Sequence, residues 1–454
     1  MREAITRFRD ERNGNAAILL GLSLVPLVFL GGMALDFSSA IQKRNLLNAA
    51  ADAAALAAVT PAMLQQPVAN AQAAAENMFN GETSTIPGLI INSLNVNVGT
   101  SGLTRTVTVS YTASSVNSFA GVLGQTYWPI SSGSSESSPQ ASSSAAANIN
   151  FYLLLDNSPS MDLPATSAGI TAMINATKNA PSNGGNAGGC AFACHESDPA
   201  ADNLGNPGGI DNYQLAQNLG VVTRIQNMAS ATQSLMTTAA STEASNNATY
   251  KVAIYTFNDT TSPNIIFAPG GQPSSNLTSA QAAAANINVM EVYSNNYLTK
   301  TNNNNDTDTD FENAMSYING VMPNPGTGGA SSTPQEVLFI VSDGVDDEVS
   351  STCSQQLDGT RCQQPFNTTW CNTVKNRGIL IAVLYTEYLP LPASGTGSNS
   401  WYNSYVAPYQ SQIGPNLQNC ASSGLFFSVT TDGDITAAMQ ALFQQAVTTA
   451  RLTQ

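Results

Sequence analysis

Asp156, Ser158 and Ser160 stand at alternate positions directly after five apolar or aromatic residues, Phe151 to Leu155. Such a run reads as a fully buried strand of the parallel kind, and a loop leaving it can turn alternate side chains toward one point. Carboxylate and hydroxyl oxygens gathered this way are the hard ligands that Mg²⁺ takes in tight octahedral geometry. Two further parts of such a site follow in order along the chain. Thr309 places a hydroxyl just before a helical segment, and Val337 to Val341 form a second buried strand that ends in Ser342-Asp343-Gly344. The bland alternative is that the first three residues cap a helix and Asp343 only ends a strand. The joint match of residue order and strand context argues against it.

At Asp156-x-Ser158-x-Ser160, Thr309 and Asp343 the sequence resembles the von Willebrand factor type A domain and its metal-ion-dependent adhesion site. The resemblance covers residues 148–454, with a Gly/Asn-rich insertion at 163–209. It implies an α/β fold, a doubly wound, mostly parallel sheet of Rossmann-like kind, preceded by an N-terminal helix and a small α+β region. It also implies Mg²⁺, with Ca²⁺ or Mn²⁺ as alternatives, held by Ser158, Ser160 and Thr309 directly and by Asp156 and Asp343 directly or through water. An open coordination position would then accept an Asp or Glu of a protein or extracellular-matrix ligand.

Other chemistries find little support. His195 is the only histidine, which all but removes Ser-His-Asp and Cys-His catalysis, and no Gly-x-x-x-x-Gly-Lys-Ser/Thr phosphate loop exists. A non-enzymatic protein is therefore expected. Residues 302–310 suggest a calcium loop but fail the EF-hand pattern, with Phe311 where Gly is needed and Tyr317 where Glu is needed. Asp346, Asp347 and Glu348 read as solvated charge. Cys190-Ala-Phe-Ala-Cys194-His195 has the wrong spacing for haem and lacks a plain fourth zinc ligand.

All six cysteines lie in the C-terminal two-thirds of the chain, which suits disulfides in an oxidising space. Spacing alone leaves the connectivity open. Proximity in sequence or in the expected fold favours Cys190–Cys194, Cys353–Cys362 and Cys371–Cys420.

The elements that position these residues begin with a membrane anchor. Residues 1–15 carry Arg2, Arg7, Arg9 and Arg12, and residues 16–35 run without a charge, long enough to cross a bilayer as one helix. The arginine excess puts the N-terminus in the cytoplasm and everything from Asp36 onward outside it, periplasmic or at the cell surface. Good helix formers continue over 36–60, so a helical stalk is expected as far as Pro61. In Asn13-Gly14-Asn-Ala-Ala, Leu35-Asp36, Lys43-Arg44 and Leu47-Asn-Ala-Ala-Ala-Asp52-Ala-Ala-Ala-Leu-Ala, residues 13–60 resemble the N-terminus of TadE/TadG-like proteins of tight-adherence (Flp) pilus assembly. No acid follows Gly14 within the apolar run, so the anchored TadG-like reading is preferred to a processed pilin.

A small α+β spacer is expected over 61–147, with a helix near Ala69 to Phe79 and alternating strands at Leu94 to Val98 and Thr104 to Tyr111. One helix is expected from Asp211 onward, its stripe running through Leu215, Leu219, Val222, Ile225, Met228, Leu235 and Ala239. Strands are expected at Tyr250 to Phe257, Gly378 to Tyr385 and Gly424 to Val429, with a closing helix capped by Asp434.

Charged residues make up 10% of the 454, and the net charge is -15. Phosphate binding needs clustered Lys and Arg, so nucleic acid is not an expected partner. The composition and both resemblances point to a single-pass inner-membrane protein of pilus assembly or adhesion, with pilus components and a metal-bound ligand as partners. The rival expectation is a structural subunit of a pilus or secretion apparatus in which the metal only stabilises the fold.

Overall fold

The computed structural model describes residues 14–452 apart from 65, 102, 134–138, 180–188, 202–208, 295–296, 302–306, 351–352, 354, 357–360 and 389–403. The arginines of the N-terminal segment and most of the Asn-rich loop before Thr309 lie outside the described residues. The chain divides into two compact units, 1–145 and 146–454.

In the first unit, helix α1 (Gly14–Ala57) is followed by α2 (Pro61–Leu64) and α3 (Val68–Thr83). Proline fits the first turn of a helix because its missing N–H has no partner there, and Pro61 accordingly starts a new helix after α1 has ended. Four antiparallel strands follow: β1 (Leu89–Ser101), β2 (Thr104–Val116), β3 (Tyr127–Ser131) and β4 (Gln140–Ser144). The C-terminal part of α1 is more than a stalk. Its small residues Ala50, Ala51 and Ala54, with Leu47, pack with Ala71, Ala75 and Phe79 of α3 over Val107, Val109 and Tyr111 of β2. Alanines allow this close approach, so one helix serves as both apolar span and core element. Among the described residues α1 is the one helix long and apolar enough to cross a membrane, and its span side chains from Ile18 to Leu35 are largely exposed.

The second unit is the α/β domain that the strand patterns predict. Its elements are β5 (Ile149–Asp156), α4 (Ser167–Thr177), α5 (Asn212–Asn218), α6 (Arg224–Asn246), β6 (Tyr250–Phe257), β7 (Asn264–Phe267), α7 (Leu277–Ala284) and α8 (Phe311–Val321). There follow β8 (Gln335–Ser342), β9 (Val345–Val349), β10 (Gln355–Gln356), β11 (Arg361–Pro365), α9 (Thr369–Asn376), β12 (Leu380–Thr386), α10 (Gln410–Cys420), β13 (Phe426–Val429) and α11 (Ile435–Leu452).

The main sheet runs β13-β12-β8-β5-β6-β7 and is parallel except for edge strand β7. β5 and β8 are buried along their whole length because helices cover both faces. Tyr152 and Leu154 meet α8, α9 and α10, while Phe151 packs against Phe443 of α11 on the other face. From β5 the chain moves outward to β6 and β7, then returns to the opposite side of β5 with β8. The switch point therefore lies between β5 and β8, at whose carboxyl ends open sheets bind ligands.

Several expectations are corrected. The single helix expected from Asp211 is two, because Gly220, at φ +68°, follows the end of α5 in a conformation that glycine adopts freely, and Thr223 with Gln226 starts α6. Leu219 and Val222 are consequently exposed, while Ile225, Met228, Leu235 and Ala239 keep the buried stripe. The 163–209 insertion contains helix α4. Asp346, Asp347 and Glu348 are buried, because Asp346 accepts the Phe311 N–H at the start of α8 while Arg361, Gln363 and Gln364 of β11 engage Asp347 and Glu348.

Disulfides join Cys353 to Cys362 and Cys371 to Cys420, but Cys190 and Cys194 are free thiols. The two thiols lie in hydrogen-bond contact with each other, and both also reach the carbonyl of Phe192, at 3.6 and 4.0 Å.

Candidate metal centre

Asp156 ends β5 with its carboxylate fully buried. The loop that follows bends back at once. Asp156 Oδ1 accepts from the Ser158 backbone N–H at 3.0 Å and from Ser158 Oγ at 2.6 Å, and Ser158 Oγ lies 3.0 Å from Ser160 Oγ. A strand that stops on Asp and resumes as Asn-Ser-Pro-Ser can form this turn because both short side chains bond locally to backbone and to each other.

The second carboxylate arrives on the neighbouring strand. β8 pairs with β5 so that Val341 lies opposite Leu155, and Ser342 Oγ donates to Asp156 Oδ2 at 2.5 Å. Asp343 follows, fully buried, its Oδ1 accepting from the Val345 N–H at 3.4 Å. Gly344 has a φ of +79°, and a Cβ there would come within 2.6 Å of Ile413. Only glycine fits a turn that is both left-handed and pressed against α10.

The third loop is tied in by its main chain. Thr309, 2% exposed, exchanges backbone hydrogen bonds with Asp347 at 3.0 Å in each direction. Asp347 is itself fixed by Arg361, at 2.5 and 2.7 Å. The next N–H, of Asp310, donates to the carbonyl of Asn258, and Asn258 Nδ2 bonds Asn157 Oδ1 at 3.3 Å. Asp156, Ser158, Ser160 and Asp343 are thus joined through their side chains, whereas Thr309 is brought to the same end of the sheet by backbone pairing.

The electrostatics are those of two acids without a counter-charge between them. Burial, and then the charge of Asp343, push the Asp156 carboxyl up to about 7. Burial raises Asp343 as well, with the hydroxyl of Ser160 and the charge of Arg224 pulling it partly back. Asp343 Oδ2 is buried with no hydrogen-bond partner. An orphaned carboxylate oxygen beside a second carboxylate and two hydroxyls is a donor set that suits a hard divalent cation. Among the described residues no three His, Cys, Asp or Glu side chains are grouped to hold a metal. That leaves the zinc alternative at Cys190, Cys194 and His195 without support, and His195 Nδ1 is engaged with Asp211 Oδ2 at 2.9 Å. A site of two carboxylates plus hydroxyls is a different construction.

Two participants escape a reading of the sequence. Ser342 looks like the last residue of a strand, and only the β5–β8 register shows that its hydroxyl meets Asp156. Arg224, 4% exposed, is the cation whose field reaches Asp343, and it lies in α6, far away in sequence.

Comparison with known proteins gives a family match at one end of the chain. Residues 14–75 match the sequence model of the family described as putative Flp pilus-assembly TadE/G-like. The TadE/TadG resemblance of the N-terminus is thereby borne out. No curated protein matches.

Among solved structures the chain is similar to the PilB minor pilin from Streptococcus sanguinis, at 12% identity and a TM-score of 0.33, over 80% of this chain and 78% of that one. It is similar to the pilus adhesin SpaC from Lactobacillus rhamnosus GG, at 10% identity and 0.33, over 80% of this chain and 34% of that one. A von Willebrand factor type A protein from Catenulispora acidiphila is similar at 10% identity and 0.31, over 80% of this chain and 50% of that one.

Proposed function

We propose that this is a single-pass, membrane-anchored protein of pilus assembly or adhesion whose exported α/β unit grips a protein or matrix ligand through a divalent cation. Asp156, Ser158, Ser160, Thr309 and Asp343 would hold the ion, Mg²⁺ in the first place and Ca²⁺ or Mn²⁺ as alternatives. The observation that carries the reading is the pair of fully buried carboxylates, Asp156 and Asp343, at the switch point of the sheet, with Asp343 Oδ2 unpartnered. When bound, the ion supplies positive charge and an open position for an acidic side chain of the partner. The chain's own part is to hold the oxygens in place: Ser342 orients Asp156, and the Thr309–Asp347 backbone pair fixes the third loop.

Support for the pilus setting comes from the family match over 14–75, and for the anchor from the exposed apolar span of α1. The N-terminus lies in the cytoplasm and the α/β unit outside it, and no enzymatic step is required of the protein. Asp156→Ala should abolish cation-dependent partner capture by the full chain while its circular dichroism spectrum is retained. Partner capture that persists unchanged in EDTA counts against the reading.

The family match also favours a second reading, in which α1 docks with assembly machinery and the cation merely stabilises the fold. The two separate in cells. Loss of the cation site spares pilus assembly under the first, whereas disrupting Leu46 to Leu56 abolishes assembly under the second.

A further inference from the structure

Residues 117–130, Asn-Ser-Phe-Ala-Gly-Val-Leu-Gly-Gln-Thr-Tyr-Trp-Pro-Ile, carry no charge; 117–126 join β2 to β3 and 127–130 begin β3. Four of their apolar side chains face outward, Val122 73% and Leu123 59% exposed with Phe119 and Tyr127 also exposed, while Ala120 and Ile130 are buried. A cluster of exposed apolar side chains on a connecting loop marks an interaction surface.

What covers this cluster follows from where the loop is fastened. Asp36, the first charge after the apolar span, accepts the backbone N–H groups of Ser118, Phe119 and Ala120 at 2.9, 2.9 and 2.7 Å. One helical turn earlier, Gly32 lies against Phe119 so closely that a Cβ there would come within 2.6 Å of its side chain. One residue later, Phe37 meets Trp128 edge to face, with ring centroids 5.2 Å apart. Gly32 is three residues inside the end of the uncharged run, so Phe119 sits roughly 4.5 Å below that end at 1.5 Å per residue.

We infer that the 117–128 loop is a second membrane contact, which enters the outer boundary of the bilayer beside α1 with Val122 and Leu123 as its tip. The surface is continuous with the exposed apolar face of the span, and its chemistry is that of the lipid boundary. Apolar side chains dip about 5–10 Å past the headgroups, and Trp and Tyr sit at headgroup level. Asp36 can lie at this depth because three N–H groups satisfy its carboxylate. The fastening limits the tilt of α1 against the sheet, because the loop and the helix enter the bilayer as one piece. This inference rests on the bilayer reading of α1.

The test uses the full chain in phosphatidylcholine/phosphatidylglycerol vesicles, with lipids brominated near the top of the acyl chains as tryptophan quenchers. Leu123→Trp reports the loop and Leu24→Trp the middle of the span. Thr106→Trp reports the far end of β2, about 33 Å from Val116 at 3.3 Å per residue. The parent chain supplies the signal of the native tryptophans. The added emission of Leu123→Trp should be blue-shifted and lose about half its intensity to bromolipid, while that of Thr106→Trp is unaffected. Quenching at Leu24→Trp without quenching at Leu123→Trp overturns the loop contact and leaves the anchor standing. No quenching at either position removes the anchor and the loop contact together. A blue shift at Leu123→Trp that ignores bromolipid assigns the patch to a protein neighbour and likewise overturns the inference.

Discussion

Strands β5 and β8 bury carboxylates at both ends, and the two ends handle them differently. At the amino ends Glu336 stands opposite Asn150, whose side-chain amide donates to Oε1 at 3.0 Å. Burial raises the Glu336 carboxyl to about 8, with the Asn150 bond and the charges of Lys251 and Arg377 opposing. At the carboxyl ends Asp156 faces Asp343 across two serine hydroxyls, and each acid raises the cost of ionising the other. A lone buried acid with an amide neighbour can keep its proton and remain neutral. Each end leaves one carboxylate oxygen unpaired, Glu336 Oε2 and Asp343 Oδ2, but two acids on one small site are stable together at neutral pH only with a proton or a cation between them.

The largest expected effect tests that contrast directly. Mg²⁺ at a hundredfold excess over its dissociation constant should stabilise the protein by about 2.7 kcal/mol, read as a shift in thermal midpoint. Asp156→Asn should erase this response, and in EDTA it should be at least as stable as the parent because a repulsion has been removed. A Glu336→Gln variant should keep the full Mg²⁺ response.

Converting the amino end into a copy of the carboxyl end is the next test. Asn150→Asp removes the amide donor and sets a second acid against Glu336. It should cost about 2 kcal/mol in denaturant unfolding at neutral pH, and less in acid, where both groups are protonated.

Ser342→Ala should be milder. It removes the hydroxyl that orients Asp156 without touching the ligand positions, and should weaken Mg²⁺ affinity about tenfold by calorimetry while leaving the circular dichroism spectrum unchanged.

A further test lies in the pH profile. The folded Glu336 holds its proton up to about 8, whereas an unfolded one releases it near 4.5, so between those values the folded state binds more protons. Glu336 therefore makes stability fall as pH rises from about 4.5 to about 8. Glu336→Gln should flatten that part of the curve in buffered denaturant titrations, and an unchanged slope would show that the acid is ionised throughout.

How much of this was legible beforehand differs residue by residue. Asp156 and Asp343 could be found because each closes an uninterrupted apolar run, and a buried parallel strand has few other ways to end. The five parallel strands and the closing helix were legible in the same way, whereas the antiparallel edge strand β7 was not, and Asp434 does cap α11, accepting from the Ala437 N–H at 2.9 Å. Asp346, Asp347 and Glu348 look solvated in the sequence, since nothing local shows that α8 and the side chains of β11 close over three consecutive acids. The break at Gly220 is hidden in the sequence because the apolar stripe continues through it while the backbone does not. Cys190 and Cys194 are near in sequence and their thiols meet, yet they stand as free thiols that share the Phe192 carbonyl.

By itself the sequence determined the five parallel strands and the closing helix, where the apolar span lies and which oxygens stand at strand ends. Those properties depend on local periodicity and on the cost of burying charge, both of which act along the chain. The tertiary structure alone decided that Ser342 reaches Asp156, that Arg224 lies within the field of Asp343, that Asn150 meets Glu336 and that Phe119 rests on Gly32. These depend on strand register and on helices distant in the chain, and a register is selected by the packing of the whole sheet at once.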